Sequence, residues 1–360
     1  MKILTVGGAM VDSIAIIDST QIERLSMRNA DTSFLLLEEG RKTEALEVST
    51  HCGGGAVNAA VALARLGHDV SSLIRLGQDQ RADTILTRLE AEGVSTRWAA
   101  RDPSEQTGAS LIIASHERNA GIFAFRGANT SFREDNLPAA AFGADLCFVS
   151  SLSNQSADCF PAIVRHARNA GALVAVNPGI RQLTARQGAF QDCLGEIDLL
   201  AINRVEADAL SAALAGRFGE GGPALEEAAD DRLLMGFDGG GFHVSTRHFF
   251  RSMLECGPGW VLVTDGGHGA MLAAGDRLYH CPVAPTEVVG TAGAGDAFAS
   301  TLAGELASRT EPGEALRRAT VNAASVVAHV DTQTGLLDQA ALLERLARFD
   351  DRLQVREFAL

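Results

Sequence analysis

Lysine is almost absent from this 360-residue chain. Lysine and arginine together number 31, and only Lys2 and Lys42 are lysines. A P-loop nucleotide site needs the sequence Gly-Lys-Ser/Thr, and a protein kinase needs a strand lysine together with a His-Arg-Asp loop. Neither pattern occurs. If the protein binds nucleotide phosphates, it must therefore hold them with backbone amides, arginine and a metal ion.

Other sequence signals are missing as well. No uninterrupted apolar run approaches 18 residues, so no membrane span is expected, and residues 1–8 predict a first strand rather than a signal peptide. The six cysteines include no Cys-x-x-Cys pair, which favours reduced thiols in a cytoplasmic protein over disulfides or a zinc site. A net charge of −14 without any basic cluster argues against a nucleic-acid partner.

Strand-like and helix-like segments alternate along most of the chain. Buried strands are predicted at residues 71–76, 147–150, 173–176, 199–202 and 260–264. Helices are predicted at residues 56–66, 81–92, 161–170, 205–214 and 312–329. This alternation predicts an α/β fold of three layers, in which a mainly parallel sheet is flanked by helices.

Two stretches interrupt the alternation. Residues 108–126 carry two β-type runs around a polar turn, which predicts a hairpin, and together with residues 13–50 they would form a small β-sheet lid. Residues 216–257 are rich in glycine and acidic residues and predict a partly mobile insertion within the core. The predicted domains are an α/β core of residues 1–12, 51–107 and 130–360 and a lid of residues 13–50 and 108–129.

The most informative motif follows a strand-like run at 287–289. Gly293, Ala294 and Gly295 precede Asp296 at the start of a predicted helix. Small residues at a helix start leave backbone N–H groups available, and the helix dipole favours negative charge there. An acid beside such an anion site suits a carboxylate that takes a proton from a hydroxyl while the amides hold a phosphoryl group, which indicates a kinase. The alternative is an ordinary glycine-rich turn with a stabilising Asp in the first helical turn.

A second glycine cluster, at residues 53–58, opens another predicted helix. It departs from the dinucleotide-binding fingerprint, because Asn58 stands where a third glycine would allow close packing of helix and strand. This departure counts against an NAD-dependent oxidoreductase. A glycine loop with an inward-facing Asn suits hydrogen bonding to a polyol, and the alternative is a tight turn in which Asn58 caps the backbone.

Five segments in this order resemble the ribokinase-like family of the phosphofructokinase-B type. They are Asp12 and residues 53–67, 203–206, 264–269 and 293–298, and the resemblance covers nearly the whole chain except 216–257. It implies a ribokinase-like fold and an ATP-dependent kinase that acts on an alcohol of a sugar, nucleoside or similar metabolite. The implied catalytic residues are Asp296, as the general base, and Gly293, Ala294 and Gly295, whose amides form the anion hole. The implied substrate-binding residues are Asp12, Gly54, Gly55, Asn58 and Asp296.

The resemblance also implies sites for ATP and Mg²⁺. Asn203 and Glu206 are three residues apart and face the same way on a helix, and by resemblance they organise Mg²⁺ and phosphates through water. The alternative is an N-cap at Asn203 with Glu206 completing a capping box. The implied nucleotide-binding residues are Asn203, Thr264, Gly266, Gly269 and Asn322. Without the resemblance, Asn322 would be interpreted as a helix-surface amide.

Two departures from the family bear on the cation and the acceptor. Gly290 stands where the family often has an Asp that helps to bind a monovalent cation, which puts potassium activation in doubt. Gly55 stands where kinases of phosphorylated sugars commonly place Lys, which favours an unphosphorylated sugar, although Arg126 could compensate. Arg181 could reach a phosphate or be a solvated loop residue.

Three further hypotheses remain open at this stage. The alternative acceptor is a nucleoside of the adenosine or inosine type. A non-catalytic binding protein on the same fold would be expected to lose the base or the anion hole, and neither motif is lost. Lid sheets in this family often pair between subunits, so the resemblance also suggests a homodimer through the lid.

Overall fold

The structure is a computed structural model, and it describes residues 1–18, 23–26, 33–36, 40, 42–115, 120–223, 225, 232–349 and 352–360. The first strands are β1 (Lys2–Gly7), β2 (Met10–Ile17), β3 (Glu23–Ser26), β4 (Ser33–Leu36), β5 (Ala45–Gly53), β6 (Asp69–Leu76), β7 (Ala100–Arg101), β8 (Gly108–Ser115) and β9 (Ala120–Phe125). The later strands are β10 (Leu146–Ser150), β11 (Leu173–Asn177), β12 (Leu199–Asn203), β13 (Phe237–Gly239), β14 (Phe242–Val244), β15 (Trp260–Thr264), β16 (Ala270–Ala274), β17 (Arg277–Cys281) and β18 (Arg356–Ala359).

The α-helices alternate with these strands. The helices before β13 are α1 (Gly55–Arg65), α2 (Gln80–Ala91), α3 (Phe160–Asn169), α4 (Ile180–Ala185), α5 (Gln187–Asp192), α6 (Arg204–Phe218) and α7 (Arg232–Met235). The helices after β14 are α8 (Thr246–Glu255), α9 (Ala294–Ala307), α10 (Pro312–Val326) and α11 (Gln339–Ala347). Every strand and helix predicted in the alternating part of the chain is present, with ends that differ by a few residues. None of the described helices is long and apolar enough to cross a membrane.

The main sheet has the strand order β18-β17-β16-β15-β12-β11-β10-β1-β6-β7. The strands from β15 to β7 run parallel, whereas β16, β17 and β18 extend one edge as antiparallel strands. Parallel strands end at the same edge of a sheet, so the segments that follow β1, β10, β11, β12 and β15 meet there. That edge carries the candidate site.

Apolar residues cover both faces of the main sheet. Ile3 of β1 packs into a cluster with α1, α2, α9 and α10, whereas Leu4 of the same strand packs on the other face with α3, α6 and α8. Successive strand residues point to opposite faces, so a strand covered on both sides is apolar throughout. The three-layer architecture predicted from the sequence is therefore confirmed.

A separate small sheet has the order β5-β2-β8-β9. It joins segments from the two regions predicted to form the lid, and β8 pairs with β9 as the predicted hairpin. Asp12 does not end a strand of the main sheet; it lies inside β2 and pairs with His51 and Ser110. Part of the predicted lid, including residues 19–22 and 27–32, lies outside the described residues.

The predicted insertion at 216–257 is packed where the structure describes it. Helix α8 begins at the N-cap Ser245, whose side chain accepts a hydrogen bond from His248 N, and it buries Phe249 and Phe250 completely. Both rings contact Phe237 of β13, with centroids 4.3 and 6.1 Å away. Residues 224 and 226–231, which hold most of the acidic run, lie outside the described residues.

Candidate active site

Asp296 lies in the first turn of α9, at the floor of a cleft of about 270 Å³. The cleft is lined by residues from the carboxyl ends of β10, β11, β12 and β15 and by Gly293, Gly295 and Asp296. Gly293, the N-cap, is left-handed with φ of 78°, and a Cβ there would lie 2.6 Å from Thr332 Cβ. Glycine is therefore required at this turn. Gly293 and Gly295 line the cleft, whereas Ala294 N donates a hydrogen bond of 3.5 Å to Thr291 O.

The Asp296 carboxylate is held by Asn58 of α1. Asn58 Nδ2 donates a hydrogen bond of 2.8 Å to Asp296 Oδ2. The carboxylate therefore faces Asn58, the last residue of the glycine cluster at residues 53–58. Gly55 is adjacent: a Cβ there would lie 2.7 Å from Ser150 Cβ and 3.1 Å from Asp296 Oδ1. No side chain fits at residue 55 beside this carboxylate without a shift of its neighbours.

The amide of Asn58 can adopt only one orientation. Its Oδ1 accepts hydrogen bonds from Thr332 Oγ1 at 2.9 Å and from Gln333 Nε2 at 3.1 Å. Gln333 is itself oriented by Arg88, whose Nε donates to Gln333 Oε1 at 3.0 Å. Since two donors occupy Asn58 Oδ1, Nδ2 must face Asp296. Asn58 is 3 % exposed, so it can offer a substrate one remaining amide hydrogen at most.

Asp12 supplies a second carboxylate. Ser110 Oγ donates to Asp12 Oδ1 at 2.5 Å, and a Cβ on Gly53 would lie 2.0 Å from Asp12 Oδ2. Burial raises the pKa of Asp12, and the Ser110 hydrogen bond and the charge of His51 oppose this rise. Burial also raises the pKa of Asp296; the Asn58 hydrogen bond lowers it, and the negative charge of Asp12 raises it further. Two carboxylates thus share one electrostatic environment, in which Asp296 is more basic than an ordinary aspartate.

Gly54 brings two chain segments into close contact. It has φ of 95°, and a Cβ there would lie 2.5 Å from Gly8 O, the carbonyl that accepts a hydrogen bond from Ala56 N. Any larger residue would separate the start of α1 from the end of β1. The glycine therefore sets the position of α1 and, with it, that of Asn58.

Asn203 and Glu206 line the same cleft as Asp296. They also form the capping box that was the alternative interpretation: Glu206 N donates to Asn203 Oδ1 at 3.0 Å, and Asn203 N donates to Glu206 Oε2 at 2.9 Å. Glu206 is 6 % exposed, and burial raises its pKa to about 7, against the opposing effect of its hydrogen bonds with Asn203. The same pair of residues therefore caps the start of α6 and places the Glu206 carboxylate in the lining of the cleft.

Three of the predicted nucleotide-binding residues, Thr264, Gly266 and Gly269, occupy different places around the cleft. Thr264, at the end of β15, lines the cleft, and Gly266 lines an adjoining pocket of about 460 Å³ that shares Asn203, Glu206 and Thr264 with it. Gly269 has φ of 90° and shapes the turn between β15 and β16, because a Cβ there would lie 2.3 Å from Cys281 O.

Asn322 differs from both of its sequence interpretations. It is not a helix-surface amide, because it is fully buried: its Nδ2 donates to Thr301 Oγ1 at 2.8 Å, and its Oδ1 accepts from Leu337 N at 3.0 Å. A nucleotide contact would require these buried bonds to break, at a cost of about 1–3 kcal/mol for each group left unpaired. Its geometry therefore supports a packing role between α9 and α10.

Gly290 contributes no carboxylate, and the backbone beside it is engaged. Val289 N and Gly290 N both donate to Val327 O, at 2.7 and 3.1 Å. A Cβ on Gly290 would lie 2.9 Å from His329 O, so even a small side chain would press on this turn. An acidic side chain at residue 290 therefore has no room without rearrangement.

Sequence reasoning missed Thr332, Gln333 and Ser110. These residues are hydrogen-bonded to Asn58 or Asp12, from 98 to 275 residues away along the chain. The segment 331–334 gave one local signal, because an Asp followed by polar residues is typical of an Asx turn. Asp331 Oδ1 does accept from Gln333 N and Thr334 N, both at 2.8 Å.

Comparison with known proteins gives a consistent result. The family model described as "pfkB family carbohydrate kinase" matches residues 11–339. A deoxyribokinase from Salmonella typhi is 25% identical over 325 residues, covering 89% of this chain and 94% of the relative. A ribokinase from Bacillus subtilis is 26% identical over 292 residues, covering 79% and 84%.

Solved structures show the same fold. Arabidopsis thaliana ribokinase, complexed with ribose and ATP, aligns with a TM-score of 0.69 and 20% identity over 96% of this chain and 98% of that one. A nucleoside kinase from Methanocaldococcus jannaschii aligns with a TM-score of 0.74 and 17% identity over 96% and 98%. The fold is thus shared by proteins named for sugar and for nucleoside substrates.

Proposed function

This chain belongs to the pfkB family of carbohydrate kinases, and is an ATP-dependent kinase of small-molecule alcohols; on that premise we propose that it transfers the γ-phosphoryl group of ATP to a hydroxyl of an unphosphorylated sugar, with Asp296 as the general base. The observation that carries this proposal is the Asn58–Asp296 hydrogen bond at the floor of the cleft. This bond fixes a carboxylate of raised pKa, which lines the cleft, against Asn58 of the other glycine motif.

In the proposed reaction, Asp296 accepts the proton of the acceptor hydroxyl as its oxygen bonds to the γ-phosphorus. The bond between the γ-phosphorus and the β–γ bridging oxygen breaks, and ADP leaves. The amides of Gly293, Ala294 and Gly295 are proposed to stabilise the negative charge that develops on the phosphoryl oxygens. Asp12, Gly54, Gly55 and the remaining amide hydrogen of Asn58 are proposed to position the acceptor.

The residues around Glu206 fit a magnesium ion held through water. Glu206, Asn203 and Asn177 place carboxylate and amide groups in the cleft that holds Asp296, and oxygen ligands with retained waters suit Mg²⁺. When bound, Mg²⁺ neutralises phosphate charge. Thr264 and the turn at Gly266 and Gly269 are proposed to hold the nucleotide phosphates, because Thr264 and Gly266 line the adjoining pocket together with Glu206.

The acceptor can be tested with a phosphorylation panel of ribose, fructose, adenosine and inosine. We expect ADP formation and a phosphorylated product with a sugar. A nucleoside kinase is the second candidate, favoured by the likeness to the nucleoside kinase fold. Transfer to nucleosides alone would reject the sugar, and nucleotide binding without turnover on any alcohol would reject the kinase.

Glu206→Gln is expected to raise the Mg²⁺ concentration for half-maximal activity about 10- to 100-fold, as for other groups that orient a metal. The substitution keeps the shape and one acceptor oxygen but removes the charge. The measurement is a Mg²⁺ titration of initial rate at saturating ATP. Glu255→Gln, on the exposed end of α8, is the matched control, and an unaltered titration in Glu206→Gln would remove the proposed role.

The same variant should change the pH dependence of stability. The folded pKa of Glu206 is about 7, against an ordinary value of 4.5, so between these values the folded state holds a proton that the unfolded chain releases. In metal-free buffer, the free energy of unfolding should therefore fall as the pH rises from 4.5 to about 7. The contribution of Glu206 to this fall should be up to about 3 kcal/mol. Urea unfolding at pH 5 and pH 8 measures the effect, and Glu206→Gln should flatten it.

We also propose a homodimer through the lid. Phe123, Phe125 and Val48 are 60%, 48% and 69% exposed, and the strand register places them with Leu111 on the sheet face opposite to Asp12. Exposed apolar faces of this kind mark interfaces. Sedimentation velocity should give a dimer for the wild type and a monomer for Phe123→Glu; a monomeric wild type would reject the proposal.

A further inference from the structure

The turn between β15 and β16 is rich in glycine. Gly266 and Gly269 have positive φ, of 50° and 90°. Peptide groups beside glycine have few steric restraints, because glycine adopts either sign of φ almost equally well. Asp265 N donates to Gly269 O, and His268 N donates to Asp265 O, both at 2.9 Å. Gly269 N reaches Gly266 O only at 3.4 Å, so the peptide group between His268 and Gly269 is weakly held from within the turn.

His280 of β17 holds this peptide group from the neighbouring strand. Its Nε2 lies 3.3 Å from His268 O, and the residue is 2% exposed. Its other ring nitrogen, Nδ1, lies 2.9 Å from Arg356 Nη2. An arginine N–H can only donate, so Nδ1 accepts this bond and the ring hydrogen is on Nε2. His280 Nε2 therefore donates to His268 O.

Strand pairing brings Arg356 to His280. His280 pairs with Arg356 of β18 on one side and with Met271 of β16 on the other. Side chains of directly paired residues lie on the same face of a sheet. Gly267, His268, His280 and Arg356 also line one pocket of about 440 Å³. Two hydrogen bonds thus connect the C-terminal strand β18, through β17, to the turn.

The turn lies between two pockets. Gly266 lines the pocket of about 460 Å³ that contains Glu206 and Thr264, where the nucleotide phosphates are proposed to bind. Gly267 and His268 line the other pocket, of about 440 Å³. The hydrogen bond to His268 O therefore acts on the side of the turn that is not proposed to hold phosphates.

We propose that His280, oriented by Arg356, is a positioning residue for the nucleotide, which fixes the peptide group after His268 and keeps the turn in its phosphate-binding shape. This inference rests on the proposed function, which assigns the phosphates to this turn. A flip of the peptide group would exchange the places of the His268 carbonyl and the Gly269 N–H. A carbonyl oxygen repels phosphate oxygens, and the bond from His280 opposes such a flip.

The first test is His280→Leu in the full-length protein. Leucine removes the donor to His268 O and the acceptor of Arg356. The KM of ATP should rise about 3- to 10-fold, as expected for the loss of one hydrogen bond that favours the bound state. The KM of the best acceptor and kcat at saturating ATP should change less than about twofold. Damage to the fold would lower kcat or raise both KM values, so an increase confined to ATP separates positioning from packing.

Two further variants test the same bond. His280→Gln keeps a side-chain N–H that can donate to His268 O, and it should restore most of the ATP affinity. Arg356→Met lies at an exposed position on the edge strand and removes only the group that orients His280. It should raise the KM of ATP in the same direction by a smaller factor, and it tests the inference if His280→Leu does not fold.

Matched controls come from the same kinds of residue. Arg277→Met removes an arginine from the same two strands, where Arg277 pairs with Glu357. His248→Leu removes a histidine whose Nε2 also bonds a backbone carbonyl, Gly219 O, at 3.2 Å. Neither residue lines the cleft or the two pockets beside the turn, so both variants should keep the wild-type KM of ATP.

Calorimetry of ADP with Mg²⁺, in the absence of an acceptor, separates this inference from the proposed function. Weaker ADP binding in His280→Leu, recovered in His280→Gln, supports the positioning role whichever acceptor is phosphorylated. Equal ADP affinity in the wild type and His280→Leu would overturn the role and leave the kinase proposal intact. Equal increases in the KM of ATP and of the acceptor would also overturn it. A wild type that binds no nucleotide would reject both proposals.

Discussion

Asp296→Asn is expected to reduce kcat by about 10²- to 10⁴-fold or more, the range typical of a positioned general base. Asparagine keeps the size of the side chain and an oxygen that can still accept the hydrogen bond from Asn58 Nδ2, but it has no basic oxygen that can take the proton. The KM of ATP should stay within a few-fold, because the amides of Gly293 and Gly295 remain in place. Steady-state kinetics with the best acceptor of the panel measures both quantities.

The control is Asp83→Asn. Asp83 is also an acid in the first turn of a helix, α2, but it is 66% exposed and pairs with Arg101 on the surface. Its substitution should leave kcat unchanged. An unchanged kcat in Asp296→Asn would remove this residue from the base role and favour an ordinary helix-start aspartate.

The wild-type pH profile gives a second readout of the same residue. A general base must be ionised, so kcat should fall as pH falls through the pKa of Asp296. Burial and the charge of Asp12 raise that pKa. The fall of kcat on the acid side of the profile, its acid limb, should therefore lie at a higher pH than the ordinary aspartate pKa of 3.8.

Asn58→Leu is expected to cause both a loss of stability and a shift of this acid limb to higher pH. Leucine removes the acceptor of Thr332 and Gln333 and the donor to Asp296. Each buried polar group left without a partner costs about 1–3 kcal/mol, so the free energy of unfolding should fall by at least that amount. Losing the Asn58 hydrogen bond also raises the pKa of Asp296 further, and part of the lost activity should return at higher pH.

Asn136→Leu separates the two effects. Asn136 bonds Arg133 N and Ser131 O in a turn that does not line the cleft, so its substitution should lower stability without moving the acid limb. Chemical denaturation and the pH dependence of kcat are measured on both variants. An acid limb in Asn58→Leu that coincides with the wild-type limb would show that Asn58 is structural only.

Local patterns were enough to predict six parallel strands of the main sheet, most of its flanking helices and the hairpin of the lid, but not the strands β7, β16 and β17 or the helix α11. Strand β15 has the predicted bounds, Trp260–Thr264, because a short apolar run between turn residues is a complete local signal. The antiparallel edge strand β18 was not predicted. Its four residues alternate weakly in polarity, and only pairing with β17 makes them a strand.

The sequence by itself determined the family, the fold class and the position of Asp296 after Gly293, because these depend on residue spacing and on glycine conformations that neighbouring residues dictate. The tertiary structure alone decided the orientation of Asn58 and the burial of Asn322. Such contacts join residues far apart along the chain, and their energies depend on distance and burial, which no local pattern encodes.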